Sequence, residues 1–146
     1  MISISIDCVS PRAFQLFGVG PVWTKYSLDY TDFATAASQN QIVLGNLPAE
    51  TVIHAVAIKH SAAFGGGAIA AYTLKVGTVA TPGKFASPFD VFQAPGDTIG
   101  QVSTGGWCED YANAYDVYIT ADSTGDTLDN ATAGAVDVWL YTSNLS

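Results

Sequence analysis

Apolar and polar residues alternate with a period of two along most of the chain. Such alternation is typical of β-strands that bury one face. It predicts long strands at 22–30, 51–60, 68–76, 115–120 and 134–142, and shorter ones at 41–44, 89–92 and 98–102. In the last long strand Val136, Val138 and Leu140 face one way, and Trp139 and Tyr141 face the other. We expect the first set to seal a core.

Segments rich in glycine and proline separate the predicted strands. Turns are predicted at 65–67, 81–83, 94–97 and 123–126, and only 32–38 has a helical pattern. No repeat or shift in composition divides the chain. We therefore predict an all-β fold, a single-domain antiparallel β-sandwich of about eight strands at 23–146, preceded by an N-terminal strand or arm at 1–22. Long loops around 30–40 and 103–114 suit strands that change sheets, which favours a jelly-roll-like topology.

The chain is acidic but carries few charges. Its formal charge is -8, from 13 acidic and 5 basic residues, and the basic residues are scattered. Nucleic acids and anionic membranes require clustered Lys and Arg, so neither is an expected partner. Charged residues make up 12% of the chain, about half of the usual 25% or so. We expect small polar residues to cover much of the surface, or other chains to bury part of it.

The N-terminal sequence does not have the pattern of a secretory signal. It lacks a basic region, and its apolar residues alternate instead of forming a run. No apolar stretch approaches the roughly 20 residues that a membrane helix needs. We therefore expect the protein to begin its life in the cytoplasm. Cys8 and Cys108 allow one bridge, and a reducing compartment favours free thiols instead.

Few residues have the spacing that an active site requires. His54 and His60 lie six apart in a predicted strand, which would place them on one face about 20 Å apart, too far to share a metal ion. Asp122, Asp126 and Asp129 do not match a calcium loop and fit a solvated turn better. The chain has no nucleophile elbow and no phosphate-binding loop. We predict no catalytic residue, no cofactor and no metal, and hence no enzyme.

Aromatic residues leave two interpretations open. Such side chains can stack on sugar rings, and they can equally anchor a core or a protein interface. Core or interface roles are favoured here. The residues concerned are Trp23, Trp107, Trp139, Tyr111, Tyr115 and Tyr118.

Several strand and turn phrases resemble a known class of viral protein. They are Phe64 to Gly67, Tyr72 to Gly77, Phe89 to Phe92, Gly96 to Thr98, and Leu128 followed by Thr132 to Gly134 and Val136 to Leu140. In this order they resemble small virion structural proteins of tailed bacteriophages, most of all jelly-roll head decoration (cement) proteins. The resemblance covers about 28–142, and the first 27 residues match nothing.

The resemblance implies a homotrimer on the outside of an icosahedral shell. Its partners would be the major capsid protein of the same virus and further copies of itself, with no nucleic acid and no membrane. The protein would assemble in the host cytoplasm and remain on the capsid surface of the virion. The candidate shell or subunit interface is Ile2, Ile4, Ile6, Phe14, Phe17, Trp139 and Tyr141.

Two alternatives stay open beside that interpretation. The N-terminal segment either pairs with a strand of the shell protein by β-augmentation or forms an ordinary edge strand of the domain. The alternative function for the whole protein is that of a carbohydrate- or receptor-binding β-sandwich of a phage tail or fibre. A cluster of exposed aromatic side chains beside acidic groups would favour this second function.

Overall fold

The computed structural model describes residues 21–95 and 101–146. These residues form eight strands: β1 Val22–Asp29, β2 Gln39–Leu47, β3 Thr51–Gly65, β4 Ala71–Gly77, β5 Ala86–Asp90, β6 Gln101–Trp107, β7 Tyr115–Thr124 and β8 Ala133–Asn144. Two short 3-10 turns, Tyr30–Phe33 and Leu128–Asn130, are the helical elements of this part. No helix here is long and apolar enough to cross a membrane.

The strands form two four-stranded antiparallel sheets. Sheet 1 has the order β1-β8-β3-β6 and sheet 2 the order β2-β7-β4-β5. In sheet 1 the first strand of the chain lies next to the last strand, and in sheet 2 the second strand lies next to the second-last strand. This is the arrangement of a jelly roll, in which one long antiparallel hairpin wraps into two packed sheets. The predicted all-β sandwich is confirmed.

Consecutive strands mostly lie in different sheets. Among the eight described strands, β4 and β5 are the one consecutive pair that shares a sheet. The predicted loop at 30–40 does change sheets, but the predicted loop at 103–114 is shorter, because β6 continues to Trp107. The helical turn lies at Tyr30–Phe33 and not at 32–38, because the Asp29 and Asp32 side chains cap the turn that starts there.

The core lies between the two sheets. Val136, Val138 and Leu140 of β8 are at most 1% exposed and pack against apolar residues of sheet 2, as the alternation predicted. Burial of such side chains is the main favourable term in folding. Because β8 lies between β1 and β3, its inner face is central to the whole sandwich.

A β-bulge in β3 overturns the prediction that both histidines share a face. The register of β3 shifts between Ile53 and Ala55 against both neighbouring strands. An extra residue reverses which positions face inward. Ile53 is therefore buried before the bulge, and Ile58 and His60 are buried after it. His60 points inward and its Nε2 donates to the Gln93 carbonyl oxygen at 3.0 Å, whereas His54 points outward.

The loops gather at the two ends of the sandwich. At one end, which we call the termini end, β1 begins, β8 ends, and the Leu145 amide donates to the Glu50 carbonyl at 3.0 Å. At the opposite end Asp126 holds two loops together. Its carboxylate accepts hydrogen bonds from the backbone N–H of Ala68 and from the Asn130 side chain.

Candidate interaction surface

The outer side of sheet 1 carries a compact group of aromatic and charged side chains. We call it the aromatic face, and it consists of Trp23, Lys25, His54, Asp137, Trp139 and Tyr141. The strand register creates it: Trp23 of β1 pairs with Tyr141 of β8, and Lys25 pairs with Trp139. Residues paired across antiparallel strands project to the same side, so these side chains meet.

The centre of the aromatic face is a stack of two rings. Trp23 and Tyr141 lie with their ring centroids 4.7 Å apart and an interplanar angle of 26°. The His54 ring approaches Tyr141 at 5.7 Å, and its Nε2 lies 2.6 Å from the Ser143 Oγ. Trp23 is nevertheless 50% exposed. The stack is therefore held in place by its neighbours and still presents a large apolar ring to solvent.

Charged groups frame the second tryptophan of the face. The Lys25 Nζ lies 5.7 Å from the centroid of the Trp139 ring and 3.4 Å from Asp137 Oδ2. The Ser27 hydroxyl donates to Asp137 Oδ1 at 2.7 Å. A partly exposed ion pair of this kind contributes little to stability. The pair places the Lys25 ammonium over the Trp139 ring, beside the Asp137 carboxylate.

The outer side of sheet 2 has a different character. Hydrogen bonds and ion pairs between polar side chains cover it: Gln39 with Asp122, Lys75 with Asp122, Gln41 with Thr120 and Asn46 with Asp116. Val43 is an exposed apolar residue on β2. Polar groups that already bind one another have fewer free hydrogen-bonding atoms for a partner, whereas an exposed ring can still be buried by one. The aromatic face is therefore the better candidate for contact.

The predicted interface residues fall into two groups. Trp139 and Tyr141 lie on the outer side of sheet 1, and the structure brings them together with Trp23. Ile2, Ile4, Ile6, Phe14 and Phe17 lie outside the described residues, so their predicted role stays a prediction. The sequence identified Trp23 as an aromatic residue that could have either a core or a binding role. It did not predict the contact with Tyr141, because that contact depends on strand register.

Of the other aromatic candidates, Tyr111, Tyr115 and Tyr118 lie apart from one another. Tyr115 is buried and donates its hydroxyl hydrogen to the Thr51 carbonyl oxygen at 2.5 Å. Burial raises the pKa of Tyr115 to about 12. Tyr111 is strongly exposed in the loop between β6 and β7, and Tyr118 is half-buried in β7. Neither joins the aromatic face.

Several titratable groups make structural contacts. In the described part of the chain, no group of three or more His, Cys, Asp or Glu residues could hold a metal ion. Asp126 binds the backbone of its own end of the sandwich, and the hydrogen bonds from Ala68 and Thr127 lower its pKa. The Cys108 thiol donates to the Asp110 carbonyl oxygen at 3.5 Å.

Comparison with known proteins identifies structural relatives only. No protein-family model matches the chain, and no curated protein matches it. A chain of the cyanophage Pam1 capsid asymmetric unit is similar, with a TM-score of 0.63 and 21% identity over 88% of this chain and 87% of that chain. A chain of the acidic stable capsid structure of Helicobacter pylori bacteriophage KHP30 gives a TM-score of 0.48 and 16% identity, over 83% and 86%. At 21% identity, the first likeness shows a shared fold.

Proposed function

We propose that the protein is a non-enzymatic structural protein of a tailed-phage virion, which binds the outside of the capsid as a homotrimer and stabilises the shell. The observation that carries the proposal is the jelly-roll fold, shared over nearly the whole chain with a chain of a phage capsid asymmetric unit. The strand and turn phrases that resemble decoration proteins support the same role. Its partners would be the major capsid protein and two further copies of itself.

The aromatic face is the surface that suits such a contact best. Trp and Tyr are enriched among the residues that dominate binding energy in protein interfaces. The Trp23–Tyr141 stack is preformed, and the His54 ring packs against it. A preformed anchor loses little conformational entropy on binding. We assign this face to the contact with the shell protein or with a neighbouring subunit.

Shell stabilisation would follow from mass action and needs no chemistry. A protein that binds only the assembled shell stabilises it by RT ln(1 + [L]/Kd) at each site. A net charge of -8 would also keep the protein from adhering to packaged DNA. The role therefore fits a location on the virion surface after assembly in the host cytoplasm.

We assign a second contact to the N-terminal segment at 1–22. Ile2, Ile4 and Ile6 alternate with polar residues, as in a strand that can pair with the free edge of another sheet. Phe14 and Phe17, nearer to the sandwich, would anchor the base of the segment. Deletion of residues 1–10 is expected to abolish shell binding and leave a folded domain; an unfolded product would favour an edge strand of the domain instead.

Two measurements test the proposed function. The first is the solution mass from light scattering on a sizing column: one chain is 15.2 kDa, and a stable trimer is expected. The second is co-sedimentation with purified, expanded, empty phage shells. Replacement of both Trp23 and Tyr141 by alanine is expected to weaken shell binding roughly 30-fold or more, the loss typical of an interface anchor.

A matched variant separates this effect from general surface damage. Val43→Ala removes an exposed apolar side chain from the outer side of sheet 2 and is expected to leave shell binding unchanged. Equal binding by the wild-type chain and the Trp23/Tyr141 double variant would remove the aromatic face from the proposal. Failure of the wild-type chain to sediment with any shell would remove the function itself.

Carbohydrate binding is the second candidate function, and one observation favours it. The exposed Trp23 ring stacks on Tyr141 beside the His54 imidazole, which places an aromatic platform next to a polar group. Sugars bind such platforms through their apolar faces. This function would be supported over the first if the chain binds a glycan array and does not bind empty shells. Trp23→Ala should then abolish the glycan binding.

A further inference from the structure

A groove of about 490 Å³ opens between the two sheets at the termini end. It lies between β1 and β2, which are edge strands of sheets 1 and 2 among the described residues. One wall of the groove is formed by Val22, Thr24 and Tyr26, and the other side includes Leu47, Pro48 and Thr142. Its lining is predominantly apolar.

The groove is a part of the core that the described residues leave uncovered. Val22 and Thr24 pair with Thr142 and Leu140, whose side chains are 8% and 0% exposed, so all four project toward the interior. Val22 is nevertheless 46% exposed, and Thr24 is exposed as well. An inward-facing valine in water forgoes the stabilisation that burial gives to its neighbours. Something apolar over Val22 would complete the sandwich.

The N-terminal 20 residues are joined to the domain next to this groove. Pro21 immediately precedes β1, and Val22 is both the first residue of β1 and a wall of the groove. The sequence just before it, Gly18-Val19-Gly20-Pro21, favours a reversal of the chain. Six residues upstream of that turn, 12–17, include Phe14, Leu16 and Phe17.

We propose that residues 12–17 of the same chain occupy this groove beside the free edge of β1. Antiparallel pairing through the turn permits two registers. One puts Phe17 opposite Val22, and the other puts Leu16 opposite Val22 and Phe14 opposite Thr24. Side chains that pair across strands share a face, so either register brings a large apolar side chain over Val22.

The short connection to the groove favours the segment of the same chain, and not that of a second copy, as its occupant. Four residues, 18–21, join the segment to the groove, so the effective concentration of the segment there is on the order of millimolar. A second copy would have to supply the segment at the ordinary concentration of the protein. Occupied in this way, the groove fixes the base of the N-terminal arm, while residues 1–10 remain available to a partner.

Two truncations test whether the segment fills the groove. Deletion of residues 1–10 is expected to leave the melting temperature unchanged, whereas deletion of residues 1–17 is expected to lower it by about 5 °C or more. Hydrogen exchange of peptides from Val22–Asp29 should accelerate in the second truncation only. Identical melting and exchange in both truncations and the full chain would overturn the proposal.

Cross-linking identifies the chain that supplies the segment. Cysteines replace Gln15 and Pro48 in a full-length chain that also carries Cys8→Ser and Cys108→Ser, and a short bis-maleimide is added. A link within one chain is expected. A covalent dimer would show that a second copy fills the groove, and no link at all would show that the segment lies elsewhere; either result overturns the proposal. Gln15→Cys with Ala36→Cys, at the opposite end of the sandwich, is the control that should not link.

Discussion

Phe64 packs its ring directly against Gly134, so that a β-carbon at residue 134 would lie 2.4 Å from two atoms of the ring. Gly134 also has a φ of +144°, which side chains rarely permit. Gly134→Ala must therefore displace a ring that is 1% exposed or change the backbone of β8. We expect a loss of about 3 kcal/mol in the free energy of unfolding, measured by urea denaturation.

Gly83→Ala is the matched control for that substitution. A β-carbon there would meet nothing closer than 3.7 Å, in the turn between β4 and β5. The expected change is within about 0.5 kcal/mol. Similar losses for the two variants would mean that the contact between Phe64 and Gly134 is not tight.

Loss of the hydroxyl group should affect the free energy of unfolding differently at two buried tyrosines. The Tyr72 hydroxyl has no hydrogen-bond partner in the described structure, and burial raises its pKa. The Tyr115 hydroxyl donates to the Thr51 carbonyl. We expect Tyr72→Phe to leave stability unchanged or raise it, and Tyr115→Phe to cost about 1–2 kcal/mol in urea denaturation. A larger cost for Tyr72→Phe than for Tyr115→Phe would contradict both assignments.

Asp126 should make the melting temperature depend on pH. Hydrogen bonds from Ala68 and Thr127 hold its pKa below the ordinary value of an aspartate, so the folded state holds the charged form more strongly than the unfolded state does. Its contribution is therefore complete above about pH 4 and is lost as the pH falls through the lowered pKa. Asp126→Asn should lower the melting temperature at pH 7, and the difference from wild type should shrink toward pH 2.

Asp116→Asn removes the same charge without the same backbone contacts. The Asp116 carboxylate accepts a hydrogen bond from the Asn46 side chain on the outer side of sheet 2. Differential scanning calorimetry from pH 2 to pH 7 compares both variants with wild type. A difference for Asp126→Asn that does not vary with pH, or that matches Asp116→Asn, would count against the role of Asp126 at that end of the sandwich.

Neighbouring residues of β8 should differ in their effect on stability. Leu140 is fully buried, whereas Trp139 faces outward and is half-buried beneath Lys25. Leu140→Ala is expected to cost about 3–4 kcal/mol, because it leaves a cavity in the core. Trp139→Ala should cost about half as much, because no closed cavity forms. Urea denaturation that ranks Trp139→Ala above Leu140→Ala would reverse their assignment to the two faces.

The alternation of apolar residues predicted β8 well because one side of that strand is buried along its whole length. The same rule failed in β3, where the bulge at Ile53 and Ala55 reverses the two faces and leaves no mark in residue type. It also missed most of β6, in which Gly105 and Gly106 have low strand propensity. Alternation reports burial on one face and says nothing about an irregular register.

The candidate surface was predictable in part for a related reason. Trp139 and Tyr141 could be placed on the outer side of β8 from its own alternation. The Trp23–Tyr141 stack could not, because it depends on which residues of β1 lie opposite which residues of β8. No local pattern fixes the pairing of two strands that are far apart in the chain.

The pairing of β1 with β8 also governs how fast this protein can fold. Ser27 and Asp137 hydrogen-bond across these strands although they are 110 positions apart in the chain. Closing a loop of that length costs entropy before any contact compensates for it, and folds dominated by such contacts fold slowly, in milliseconds to seconds. Sheet 1 cannot be completed on the ribosome until β8 has been synthesised, because β8 lies between β1 and β3. Until then β1 and β3 expose their apolar faces, so the nascent chain passes through an aggregation-prone stage that a chaperone would shorten.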